Sequence, residues 1–271
     1  MGKGIVYESK LPDENGLIPY TAEEDSVWRD LSARQKKVHQ GRACAEYMQG
    51  LKELNLPTDR VPQLTEINEV LDKKTGFGVE PVAALITAQK FYELLRDRKF
   101  PVATFIRDRS EFDYLQEPDI FHEVYGHCPL LTNQAYADYV QRYGELALEL
   151  GGAYKKPLLR LFWFTVEFGL IENTDGTRIY GAGILSSVGE TEYATDSDKP
   201  ERRPFDLVEA LRTPYRIDIY QNIYYVIQSF DQLYNIVNAE LKEAVEEAKA
   251  LGDFEPTFPT TKDDGSPAMV F

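Results

Sequence analysis

Fourteen consecutive residues, LLRLFWFTVEFGLI from Leu158 to Ile171, are apolar nearly all round a helical wheel, apart from Arg160 near the start and Glu167 in the middle. A helix with no polar face has to lie inside the molecule. The segment is therefore expected as a buried helix around which the rest of the chain packs, and it is too short to span a bilayer. Its glutamate is the costly element. An unpaired carboxylate in low dielectric costs several kcal/mol or takes up a proton, so Glu167 needs a partner: a metal ion, or an arginine from another segment.

At 271 residues the chain can bury one large core, and no linker-like stretch divides it. One catalytic-size domain over residues 1–271 is expected, with its core at about 20–254. The 45 acidic and 30 basic residues give a net charge of −15, which repels phosphate backbones and anionic membranes. Nucleic acid and membrane are excluded as expected partners. Cys44 and Cys128 form no C-x-x-C pair, which argues against a disulfide framework and against structural zinc. The N-terminus lacks the apolar core of a signal peptide, and Val6 stands where a myristoylation signal needs Ser or Thr. A cytoplasmic protein is expected.

Thr21 and Glu24 have capping-box spacing, and helix is expected from there to just before Pro57, with a break at Gly41. Further helices are expected over PQLTEINEVLDKKTG, closed by Gly76, and over ITAQKFYELLRDRKF. VATFIRD, residues 102–108, and TRIYGAGILSS read as strands. RPFDLVEALR and DQLYNIVNAELKEAVEEAKALG return to helix, the second opened by Asp231 and closed by Gly252, and the Pro-rich tail reads as irregular. Gly181-Ala182-Gly183 is no dinucleotide fingerprint, because Ser186 occupies the third glycine's place. The expected class is mainly α with a small β component.

Two of the three histidines stand in HEVYGH, residues 122–127. The zinc-protease pattern H-E-x-x-H puts its histidines on one helical face, four apart. Here they are five apart, which on a straight α-helix turns the rings about 140° from each other at about 100° per residue. Gly126 and Pro129 suggest a remedy: a helix begun by Pro118 and Asp119 stops near Tyr125 or Gly126, and His127 swings back toward a metal. With Glu167 this makes two histidines and one carboxylate, the facial triad of non-haem Fe(II) oxygenases, with three positions open. A zinc hydrolase using Glu123 as base, and a helical binding domain with an incidental metal, remain as alternatives.

EPDIFHEVYGHCPL, WFTVEFGL and YGAGILSSVGE, in this order and spacing, closely resemble the pterin-dependent aromatic amino acid hydroxylases, most nearly the short bacterial phenylalanine 4-hydroxylases. The resemblance runs from about Tyr20 to Phe254. It implies a helical basket around a deep iron-containing cleft, with His122, His127 and Glu167 as metal ligands. It also implies Fe(II), O2 and a tetrahydropterin acting on a small aromatic amino acid, and recycling enzymes for the spent pterin.

Site residues carry over by the same resemblance. Arg107 matches the arginine that grips the substrate carboxylate, with Asp119 holding it. Ser186 matches a residue that hydrogen-bonds His122, and Gly183 lies on the same substrate side. Trp163 and Phe168 line the aromatic pocket, with Pro118 against the ring and Ile217 near its far end. Phe91 matches the residue that stacks on the pterin, with backbone around Ala84 to Ile86 at its polar edge. Glu123 becomes a pterin-side carboxylate, and Glu190 a polar position of undefined role. Phe162 replaces the Tyr common among relatives and removes a hydroxyl near the iron. Trp163 favours phenylalanine over tryptophan, the alternative substrate. The absence of the regulatory domain and tetramerisation helix of animal relatives implies a monomer.

Overall fold

The computed structural model describes residues 7–83, 86–113 and 117–271. Thr21 opens the first helix as the sequence predicts. Its side chain accepts from the Glu24 amide at 3.3 Å while Glu24 accepts from the Thr21 amide at 2.7 Å, which satisfies two orphan donors reciprocally. Helix α1 (Ala22–Val38) ends before Gly41, at φ 74°, and α2 (Ala45–Leu54) follows. Helix α3 (Leu64–Thr75) stops at Gly76, φ 69°. A short strand β1 (Gly78–Val82), α4 (Ala88–Arg96) and strand β2 (Lys99–Ala103) come next, β1 and β2 pairing in parallel.

The chain then passes through the HEVYGH segment into α5 (Gln134–Leu150), capped by Asn133. Helix α6 (Lys155–Phe162) runs into the Glu167 turn, followed by the hairpin β3 (Leu170–Asn173) and β4 (Gly176–Ile179). Two short helices, α7 (Ala182–Leu185) and α8 (Val188–Asp196), lead to β5 (Glu201–Pro204), α9 (Leu207–Arg212) and β6 (Ile223–Ile227). Helices α10 (Phe230–Ala239) and α11 (Leu241–Leu251) complete the order. The second sheet has the order β4-β3-β6-β5, with β3, β5 and β6 parallel. The fold is mainly α with two small sheets, and its buried apolar side chains form one cluster. No helix among the described residues is long and apolar enough to cross a membrane.

Several expectations fail for physical reasons. The strand expected at 102–108 lies at Lys99–Ala103, so Arg107 follows it in an irregular segment. The expected buried helix ends at Glu167, and Leu170 and Ile171 belong to β3. Strand β6 was missed because all five residues are buried, so it carries no alternation to read. The long C-terminal helix breaks at Glu240, φ −125°, and Ser229 rather than Asp231 caps its first half, accepting from the Gln232 amide at 3.2 Å.

Thr21→Ala should cost about 1 kcal/mol by removing the cap acceptor, measured by urea unfolding, with iron binding unchanged. No change in the midpoint would contradict the role assigned to the cap.

Candidate active site

HEVYGH is not an α-helix stopped by glycine. Residues Phe121–His127 form a π-helical turn, whose i→i+5 hydrogen bonding brings residues five apart onto one face. The spacing that fails on an α-helix therefore works here: the Nε2 atoms of His122 and His127 lie 3.1 Å apart. Gly126 does not have positive φ, which corrects the expected helix stop. Its missing side chain instead admits α7, because a Cβ there would lie 3.0 Å from the Ala182 carbonyl oxygen and 3.2 Å from the Ala182 Cβ.

Asp119, fully buried, starts this turn. Its carboxylate accepts from the His122 amide at 3.1 Å and its carbonyl from the Glu123 amide at 3.0 Å. The same carboxylate takes the Arg107 Nε and Nη2 donors, each at 2.8 Å, and the Arg107 amide at 3.0 Å. Burial alone would raise Asp119, but Arg107 and these donors hold it below the usual carboxylate range. Among the described residues Arg107 Nη1 has no hydrogen-bond partner, so the outer edge of the guanidinium remains for a second anion.

Glu167 closes a second π-helical turn, Trp163–Glu167, at the end of α6, marked by an i→i+5 bond from the Phe168 amide to the Trp163 carbonyl at 2.8 Å. The turn is approached closely by the glycine before α7: a Cβ on Gly181 would lie 2.4 Å from the Glu167 carbonyl oxygen. The Glu167 carboxylate comes within 3.3 Å of His127 Nε2 and 3.6 Å of His122 Nε2.

The donor set fits a metal. Ser186 Oγ donates to the Ala182 carbonyl at 2.9 Å and lies 2.9 Å from His122 Nδ1. Its one proton is thereby used, so Nδ1 of His122 is the donor and Nε2 carries the lone pair. Burial drives His122 down to about 4, against the pull of Glu167, so the ring is a neutral base at physiological pH. Cis ligands about 2.1 Å from one ion stand about 3 Å apart, close to the separations seen. His127, 2% exposed, rests on Phe100 of β2 at 4.5 Å, and its Nδ1 is buried without a partner among the described residues.

Glu123 also comes within 4.8 Å of both histidines, but Glu167 is the closer carboxylate and the one that stays ionised. Burial would raise it, and His127, His122 and the Gly183 amide hold it below its ordinary value. Burial, with the charges of Glu167 and Asp119, pushes Glu123 well up.

A cleft of about 600 Å³ opens on these groups. Of the residues predicted from sequence, Arg107, Pro118, His122, Trp163, Glu167, Phe168, Gly183, Ser186, Glu190 and Ile217 line it. Phe91 and Phe162 meet edge to face at 5.2 Å, but neither they nor Ile86 belongs to this lining. Ala84 lies outside the described residues. Sequence reading missed Gln221, whose Oε1 accepts from the Trp163 indole N–H at 3.0 Å, and Tyr215, stacked on that indole at 4.2 Å and 12°. No periodicity marks their segment, and no motif contains them. Glu190 accepts from the Gln221 amide at 3.1 Å and from the Tyr224 hydroxyl. Burial lifts it to about 7, against those two donors.

The chain belongs to the family described as biopterin-dependent aromatic amino acid hydroxylases, whose model matches residues 3–249. It is 52% identical over 252 residues to the phenylalanine-4-hydroxylase of Vibrio cholerae, covering 93% of this chain and 87% of that protein. The apo structure of the cold-active phenylalanine hydroxylase from Colwellia psychrerythraea 34H superposes with a TM-score of 0.91 at 51% identity, covering 93% and 98% of the two chains. The Chromobacterium violaceum phenylalanine hydroxylase with bound oxidised Fe(III) superposes at 0.84 and 42% identity, covering 90% and 91%.

His39, behind α7, is also buried and donates from Nε2 to the Leu185 carbonyl at 2.7 Å. Burial holds it near 4, below its ordinary 6.5. The unfolded chain therefore binds a proton between pH 6.5 and 4 that the folded chain refuses, so stability falls as pH drops through that window. Urea unfolding from pH 6.5 to 4.5 should show about one proton less of slope in His39→Gln than in wild type; equal slopes would contradict the assignment.

Proposed function

We propose that the chain is a phenylalanine 4-monooxygenase, converting L-phenylalanine to L-tyrosine with O2 and a tetrahydropterin at a non-haem Fe(II) held by His122, His127 and Glu167. One observation carries this reading: His122 and Glu167, with His127 beside them, open onto the same cleft as Arg107 and the aromatic wall of Trp163 and Phe168. One small molecule with an anionic end and an aromatic end can reach both.

When bound, Fe(II) and the tetrahydropterin supply the electrons that activate O2, one atom of which enters the ring. The protein's part is positioning. The free edge of Arg107 takes the α-carboxylate while Asp119 holds the other edge. Trp163, Phe168, Pro118 and Ile217 clasp the substrate ring, with Gly183 and Ser186 on the same side. Ser186 keeps the His122 proton on Nδ1, leaving Nε2 for iron. Glu123 lies on the pterin side, with Phe91, Phe162 and backbone around Ala84 and Ile86 as the pterin's other neighbours. We propose further that the protein works as a monomeric single catalytic domain in the cytoplasm, its pterin returned by recycling enzymes.

Trp163 fills the cleft wall with an indole of its own, which favours a single six-membered substrate ring over tryptophan. Anaerobic Fe(II) loading followed by product analysis with phenylalanine, tryptophan and tyrosine in parallel tests the reading. Tyrosine from phenylalanine as the dominant product is expected, and a preference for tryptophan would overturn the substrate.

Two variants probe the parts. Glu167→Ala should lose both iron binding and hydroxylation, and retention of either removes Glu167 from the site. Arg107→Lys keeps the charge but loses the fork. It should lower kcat/KM for phenylalanine roughly 10- to 100-fold, as loss of a charge-assisted hydrogen bond does, mainly through KM and with the pterin KM unchanged.

A further inference from the structure

The tail from Asp253 to Phe271 lies beyond the residues that the family model matches, yet it is tied to one loop and to helix α6. The Phe254 amide donates to the Arg212 carbonyl at 3.0 Å, and the Arg212 guanidinium lies over the Phe254 ring at 4.0 Å. Asn222 Nδ2 donates to the Thr257 carbonyl at 2.9 Å. Arg216, 5% exposed, donates from Nη1 to the carbonyls of Pro259 at 2.6 Å and Thr261 at 3.2 Å. The Phe271 amide donates to the Tyr215 carbonyl at 3.1 Å. From the other side, fully buried Arg160 donates from Nε and Nη2 to the Phe271 carbonyl at 3.2 and 3.0 Å. Two buried guanidinium groups thus spend donors on tail carbonyls, which an incidental tail would not hold.

The loop so gripped, residues 212–222, forms one wall of the cleft through Ile217, Asp218, Ile219 and Tyr220. It also delivers Gln221 to the Trp163 indole N–H. Behind that wall three rings lie nearly parallel: Phe271 on Tyr215 at 5.1 Å and 11°, and Tyr215 on Trp163 at 4.2 Å and 12°. We infer that the tail is part of the substrate-selecting apparatus, with Phe271 a positioning residue that fixes the Trp163 wall through Tyr215. The inference rests on the reading of this cleft as the site for an aromatic amino acid. A wall backed by a stacked ring cannot tilt away to admit a larger substrate. Discrimination between one aromatic ring and an indole depends on that rigidity.

The test compares full-length, iron-loaded Phe271→Ala and Phe271→Tyr with wild type. Phe271→Ala should raise KM for phenylalanine and lower the phenylalanine-to-tryptophan ratio of kcat/KM, each roughly three- to tenfold, the range for losing one stacked pair. The pterin KM and iron per chain should stay unchanged, and Phe271→Tyr should restore both altered constants. Acrylamide quenching of the substrate-free protein is the second readout. Of its two tryptophans, Trp28 is fully buried, so quenching reports Trp163 and should increase in Phe271→Ala. Should Phe271→Ala fail to fold, Phe271→Leu, which keeps apolar bulk without the stack, takes its place with the same expectations. Wild-type values for quenching and for both constants overturn the proposal. So does a rise of phenylalanine and pterin KM in the same proportion, which marks a merely structural role. If wild type hydroxylates neither amino acid, the functional reading fails, while quenching still decides whether Phe271 holds Trp163.

Discussion

A carboxylate with no exposure to water has to be paired, and in this protein the pairing of Asp119 organises the site. One side chain holds the forked edge of Arg107 and the amide that begins the turn carrying both histidines. Removing one partner of such a buried pair costs about 3–5 kcal/mol, so neither the arginine nor the histidine turn can drift from the other without a large penalty. The arginine proposed to anchor the substrate and the rings proposed to bind the metal are thereby locked in one frame. Arg107 follows β2 and His127 packs on Phe100 of that strand, so the small parallel sheet supports the same frame from behind.

The second constraint is the π-helical turn, used twice. A π-turn widens the helix and is seldom stable by itself, yet here it brings two histidines five apart onto one face and closes α6 at Glu167. Both turns are pressed by the same short helix, α7. Gly126 lets the Ala182 end of α7 reach the histidine turn, and Gly181 lets the chain before it reach Glu167. From its far end Ser186 sets the tautomer of His122. The neutral imidazole of His122 and the ionised Glu167 then follow from burial and from which neighbours share charge, and the same burial pushes the Glu123 carboxyl well up. That distribution suits a divalent metal.

Much of this was legible in the chain because it depends on local chemistry. Thr21 with Glu24, Gly76 and Gly252 mark helix ends through capping and positive φ. Glu167 was conspicuous as a charge in an apolar run, and the unusual histidine spacing pointed to a metal site. The mechanism by which the spacing works was misread. Positive φ at Gly126 is a local habit of glycine, whereas its actual role, making room for Ala182, is set by a segment more than fifty residues away. Strand β6 was hidden because burial on both faces erases alternation. Gln221, Tyr215 and Phe271 were invisible for a related reason: Gln221 and Tyr215 meet Trp163, and Phe271 meets Tyr215, only after the chain has folded back. The tail's irregular composition was read correctly and its attachment was not, since carbonyl groups that receive arginine donors leave no mark in side-chain pattern.

The account rests most directly on the claim that His122, His127 and Glu167 meet at one Fe(II). X-ray absorption on the anaerobically loaded protein, with iron counted per chain, measures this at the metal itself. One iron per chain in a shell of nitrogen and oxygen only, with the scattering signature of two imidazoles and positions left to water, is the predicted result. A sulfur ligand, a single imidazole, or iron bound without fixed stoichiometry would contradict it.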